Sequence, residues 1–167
     1  MYYNVDSKFT NFNVGPNYSF FIADKLDIGT NLFYGYQKQS NGISGTPTAQ
    51  YSHQYGATLF LRKYFMFSDK FGLRAGPYFG YSRNNFKYSD AGGEEKNKTN
   101  SYTAGANLGL VYYPTKKLGV SAMLASVSYG RFKQKNDTRE LAKGDNFNVN
   151  LINDGLALSV FYVFGGK

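Results

Sequence analysis

Apolar and small polar residues alternate with a period of two along nearly the whole chain, and that feature leaves few folds open. Leu26, Ile28, Thr30, Leu32, Tyr34 and Tyr36 occupy even positions, against Asp27, Gly29, Asn31 and Gly35 at odd ones. Upstream, Phe12, Val14, Pro16, Tyr18, Phe20 and Ile22 oppose Asn11, Asn13, Gly15, Asn17 and Ser19. Further on, Tyr55, Ala57, Leu59 and Leu61 oppose Gln54, Gly56, Thr58 and Arg62, and the set Phe71 to Tyr81 opposes Arg74 to Asn84. Tyr102 to Tyr112 and Leu118 to Leu124 repeat the scheme, the latter facing Gly119, Ser121, Met123 and Ala125. Successive side chains of a strand point to opposite faces, so each segment makes a two-sided ribbon. No helical period competes with it. The expectation is an all-β antiparallel meander.

The connections alternate in kind. "ADK", "MFSDK" and "PTKK" are short, whereas the polar stretches around 40–50, 89–100 and 134–145 read as long loops. Short turns at one end and long loops at the other are the pattern of outer-membrane barrels. Pro16 and Pro77 fall within strands, where a missing N–H breaks a ladder bond, and are expected at a bulge or near a rim. In "NFNVNLINDGLALSVFYVF", Asn153-Asp154-Gly155 suits either a hairpin turn, which would give eight strands, or a bulge in one long strand. The apolar face moves from odd residues (Phe147, Val149, Leu151) to even ones (Leu156, Leu158, Val160), which a bulge produces. The bulged strand also ends at the short-turn side, so it is favoured and seven strands are expected.

One domain over 1–167 is expected from the length. No run approaches the roughly 18 apolar residues of a helical span, but 19% aromatic content with mean hydropathy −0.45 is compatible with a barrel whose faces average out. The net charge of +8 raises nucleic-acid binding, yet Lys and Arg are scattered over turns and loops without a basic helix, and no nucleic-acid partner is expected. Absence of cysteine removes disulfides, thiolate metal sites and Cys nucleophiles. "MYYNVDSKFT" has no basic stretch leading into an apolar one, so either the chain is cytoplasmic or its true N-terminus lies upstream; the count of seven strands favours the second, with an eighth, leading strand expected there.

Which face meets water follows from the polar side. A soluble barrel dresses its outside with Lys and Glu, whereas here that face is Asn, Gly, Ser and Thr, groups that fit a narrow interior. Tyrosines gather toward the strand ends of the other face: Tyr34, Tyr36, Tyr51, Tyr55, Tyr102, Tyr112 and Tyr162. Such rings, half dry and half wet, belong at a membrane boundary. The polar face is therefore expected inside and the apolar face against lipid.

With these features in place, "NVGPNYSFFIADKLDIGTNLFYGY" and the closing "LALSVFYVF" resemble the strand, short turn and strand, and the C-terminal strand, of the small outer-membrane β-barrels of Gram-negative bacteria, the OmpA- and OmpX-like family. The resemblance implies an up-and-down transmembrane barrel of about eight strands in the outer membrane, in contact with its lipids, with extracellular loops open to a ligand. The "GGK" after Phe164 departs from that family's common aromatic ending.

Asp27, Arg62 and Arg74 are the inward charges and are expected to meet at the periplasmic end as a charge cluster, more readily an ion-pair plug than a gate. His53 lies among Tyr51 and Tyr55 on the apolar parity. Lipid A-modifying barrels place a His near their outer rim, but here no partner carboxylate or serine is fixed beside it, so no catalytic residue, cofactor or metal is expected. Lys63 reads as a snorkelling side chain. The expected role is structural or adhesion-like with a closed lumen, the alternatives being a narrow pore or small-ligand binder and a lipid-modifying enzyme.

Overall fold

The computed structural model describes residues 6–43, 46–90, 93–136, 138–151 and 158–164. They form one antiparallel sheet: β1 (Asp6–Val14), β2 (Asn17–Ala23), β3 (Leu26–Ile43), β4 (Thr46–Met66), β5 (Phe71–Asp90), β6 (Gly93–Tyr112), β7 (Leu118–Asn136), β8 (Glu140–Leu151) and β9 (Leu158–Tyr162). The fold is all-β and up-and-down, with strand order β1-β3-β4-β5-β6-β7-β8, β2 joining β1 along β3 and β9 joining β8 along β7. The nine strands therefore make seven spans. Because β8 and β9 are both antiparallel to β7, they run in one direction, and the hairpin reading is excluded. The Asn153-Asp154-Gly155 segment itself lies outside the described residues.

With seven spans, the first (β1 and β2) and the last (β8 and β9) both run toward the short-turn end. No ladder joins them among the described residues, so the sheet is an open half-barrel and not the closed lumen expected. Antiparallel closure across two parallel edges takes an odd number of further strands.

The polar stretches read as long loops are instead the outer halves of hairpins. Ile43 faces Thr46, Asp90 faces Gly93 and Lys135 faces Glu140, so strand pairing continues almost to each tip. The ladder persists because backbone groups bond whatever the side chains, while exposure on both sides removes the apolar alternation that marks a strand. At 20 residues, β5 and β6 reach roughly 45 Å along the membrane normal at about 3.3 Å per residue and 45° tilt, well beyond a roughly 25 Å apolar band.

Neither proline marks a bulge. Asn13 faces Gly35 and Asn17 faces Asn31, so the register is unchanged across Gly15-Pro16, and Leu32 N donates to the Pro16 carbonyl at 3.0 Å. Pro77 sits mid-strand and exposed; the β4–β5 ladder lapses beside it and resumes in the same register at Lys63 and Ala75. Here β4 and β5 touch backbone to backbone, and a Cβ at Gly76 would sit on the Leu61 carbonyl oxygen. Gly76→Ala must push the strands apart, and we expect a loss of about 1 to 3 kcal/mol by urea unfolding in vesicles, whereas Gly80→Ala, whose Cβ would meet nothing closer than the Thr58 hydroxyl at 3.2 Å, loses less. Register shifts fall between Phe21 and Ala23, between Gln134 and Lys135, and at Leu124, the last of which turns Ala125 outward opposite Leu108 and corrects its expected inward place.

The curvature puts the polar face inside. A concave cavity is lined by Asn31, Thr58, Asn107 and Ser126, while on the convex face Leu59 is 58%, Phe79 51%, Val149 60% and Val160 70% exposed. Among the described hydrophobic residues only Phe60, Tyr64 and Val111 are buried. A soluble barrel would bury its apolar face; this one presents it outward, the arrangement of a sheet whose solvent on that side is lipid.

Candidate functional site

The concave face near the short turns holds a buried network of side-chain hydrogen bonds. Asp27 on β3 lies directly opposite Arg62 on β4. Arg62 Nε donates to Asp27 Oδ1 at 2.9 Å and Nη2 to Oδ2 at 2.5 Å, a bidentate pair. Arg62 Nη2 also donates to Ser19 Oγ at 3.0 Å, and the Tyr64 hydroxyl donates to Asp27 Oδ2 at 3.0 Å. The Arg62 guanidinium lies 4.0 Å from the centre of the Phe60 ring. Asp27 is 1% exposed, so its charge is tolerated through this fully bonded setting. The network joins the first three spans into a seal.

Arg74 joins the expected cluster through Tyr64, which it faces and hydrogen-bonds, and not through an ion pair with Asp27. It shares the concave face, but its Nη2 donates to Ser121 Oγ at 2.7 Å and its guanidinium lies 5.8 Å from the Phe161 ring centre. Among the described residues it has no carboxylate within ion-pair distance. Its register explains this: Arg74 faces Tyr64, two residues beyond Arg62, and so reaches toward β7 instead of β3. Above these groups lies a cavity of about 500 Å³ that also touches Asn17 on the first span and Asn150 and Ser159 on the last.

A second set of inward residues is aromatic and was not legible as a site. Phe33, Phe60, Tyr78, Phe132 and Phe161 each face a glycine across the ladder: Gly56, Gly29, Gly105, Gly144 and Gly119 respectively. A Cβ on Gly29 would lie 2.5 Å from Phe60 Cζ, so each ring lies flat over the bare backbone opposite. The available signal was parity, since each ring interrupts the polar side of the alternation.

The expected interfacial tyrosines sort into two levels on the convex face. Tyr34, Tyr36, Tyr51, Tyr55 and Tyr102 lie toward the hairpin arms, and Tyr112 and Tyr162 lie at the short-turn end with Phe65, Phe71 and Phe164. His53 faces Tyr36, with ring centres 5.0 Å apart, and its Nδ1 is 2.9 Å from the Tyr34 hydroxyl. That places His53 outside, within the aromatic band. Lys63 Nζ donates to the Asp24 carbonyl at 3.0 Å, holding the "ADK" turn. No metal-binding group of three His, Asp or Glu occurs among the described residues.

A convex apolar wall between two aromatic levels, around a polar concavity, defines the outer-membrane β-barrel fold, and the folds of two solved receptors agree. The ferric citrate transporter FecA in its unliganded form matches 93% of this chain and 25% of its own, at 10% identity and TM-score 0.52. BauA, the ferric preacinetobactin receptor from Acinetobacter baumannii, matches 87% of this chain and 27% of its own, at 8% identity and TM-score 0.52. The N-terminal β-barrel domain of Pseudomonas aeruginosa OprF aligns over 92% of this chain and 96% of its own, at 13% identity and TM-score 0.33. No family model matches the sequence, nor does any curated protein. The chain spans about a quarter of the length of each receptor.

Proposed function

We propose that this chain is the wall of a barrel in the bacterial outer membrane with a structural or surface-interaction role, OmpA- or OmpX-like in kind and without catalysis. The observation that carries the reading is the exposed, continuous apolar convex face held between two aromatic levels, with hairpin arms reaching past one of them. The Asp27–Arg62–Tyr64–Ser19 seal supports a blocked interior, and the arms offer a rigid, polar surface to an external partner. In planar bilayers the folded protein is expected to give no steady single-channel steps. Steady steps that Asp27→Asn or Arg62→Met abolish would overturn the blocked interior.

Arg74 favours a second reading, a lumen that takes a small anionic ligand or passes anions. Its guanidinium borders the cavity of about 500 Å³ without a carboxylate among the described residues. The enzyme reading rests on His53 alone, whose polar contact is a tyrosine hydroxyl. A lipid A mass shift dependent on His53 would revive it.

A further inference from the structure

The hairpin arms give the net charge an address. On the convex face, level with Tyr51 and just beyond Tyr102, lysines stand directly opposite one another across three ladders: Lys87 and Lys96, Lys98 and Lys135, and Lys133 and Lys143. The first of these pairs shares Glu94, which lies 2.5 Å from Lys87 Nζ and 3.7 Å from Lys96 Nζ. Read as loops, these segments looked like scattered charge; as paired strands they form a row with one orientation.

Like charges directly opposite on a sheet destabilise it, by the same few tenths to 1 kcal/mol that opposite charges contribute. Carboxylates offset part of this charge, since Lys135 also faces Glu140 and Arg131 lies 3.7 Å from Asp145, but the cations Lys98, Arg131, Lys133, Lys135 and Lys143 outnumber these two and leave a surface suited to a polyanion. Height decides which. Arg131 faces Tyr102 at the aromatic level, and Lys133 is two residues beyond it. Lys98 is four residues beyond Tyr102 along β6. At about 3.3 Å per residue and 45° tilt, the backbone positions of these lysines stand roughly 5 to 9 Å above Tyr102, and their flexible side chains stay within reach of the same layer. That is the depth of a headgroup layer, which adds about 5 to 7 Å to each side of the hydrocarbon. The row also continues the lipid-facing surface, where a free macromolecule would meet the membrane first.

We infer that the Lys98–Lys135 and Lys133–Lys143 pairs form a binding surface for the phosphate groups of phosphorylated lipid headgroups in the leaflet around the hairpin arms. The inference rests on the outer-membrane reading. Lysine suits it, because a flexible ammonium can follow phosphates whose positions are not fixed by the protein.

The test uses the full chain folded in neutral detergent and titrated with bisphosphorylated lipid A or with lipid A lacking both phosphates. Retention is read by native mass spectrometry. The bisphosphorylated form is expected to bind at least about tenfold tighter, and Lys133→Gln/Lys135→Gln/Lys143→Gln to lose about a hundredfold, at the usual contribution of each cation near an anionic surface. Lys116→Gln/Lys117→Gln, in the opposite turn, is expected to match the parent. Equal binding of the two lipids, displacement by inorganic phosphate, or tighter binding of a single-stranded oligonucleotide overturns the inference. Insertion is followed separately by heat-modifiable gel migration after folding into phosphatidylcholine vesicles. A chain that inserts but ignores the phosphates sinks the inference and leaves the membrane reading standing; one that does not insert sinks both.

Discussion

Leu108→Arg is expected to cost about 2 to 4 kcal/mol of folding stability in a bilayer, the effect of an arginine at the midplane of a lipid face. Leu108 lies on β6 midway between Tyr102 and Tyr112, which mark the two aromatic levels on that strand. Its neighbours across the ladders, Ala75 and Ala125, are too small to shield a guanidinium or to offer it an acceptor. Snorkelling from this depth must cover half the apolar band in either direction, which distinguishes Leu108 from Lys63 beside the short turn. Asn107→Ser, one residue away on the cavity side, exchanges one small polar group for another and should cost well under half as much. Urea titration of both variants in phosphatidylcholine vesicles checks the contrast. Equal effects would mean that the two faces see the same solvent, and the membrane reading would fall.

The alternation carried the part of the fold between the two aromatic levels. From Phe12 to Ile22, and from Leu26 to Tyr36, odd and even residues meet such different surroundings that parity alone places each side chain, and Asp27 could be assigned to the inside opposite Arg62. Beyond the upper aromatic level both faces of the sheet are polar, the alternation disappears, and segments such as Lys87–Ser89 with Glu94–Lys96 look like loops although they pair residue for residue. The same blindness hid the lysine row, which depends on cross-strand register and not on spacing along the chain. The partners of Arg74 were lost for a related reason. Parity gives the face, but the partner depends on stagger, and a shift of two residues sends its guanidinium to Tyr64 and Ser121 instead of Asp27. Bulges are also poorly legible: Leu124 and its neighbours are all apolar, so a slipped register leaves the sequence pattern almost intact.

Arg62→Met is expected to cost about 3 to 5 kcal/mol, because it strands the Asp27 carboxylate at 1% exposure with only the Tyr64 hydroxyl donating to it. Asp27→Asn should cost less. The buried Arg62 retains Ser19 Oγ and the Phe60 ring, and an amide oxygen still accepts from the guanidinium. The informative variant is the double one, Asp27→Leu/Arg62→Met, which removes both charges and fills the space with apolar atoms of similar volume. Replacing a buried ion pair in this way is often neutral or stabilising, so the double variant should recover most of what Arg62→Met loses. Unfolding free energies of the parent, the two single variants and the double variant close the cycle. If the double variant is as unstable as Arg62→Met, the seal holds the first three spans together through hydrogen-bond geometry that hydrophobic packing cannot replace. If it recovers, the pair serves to block the lumen, and the cost of its charges is borne for that blockage and not for the fold.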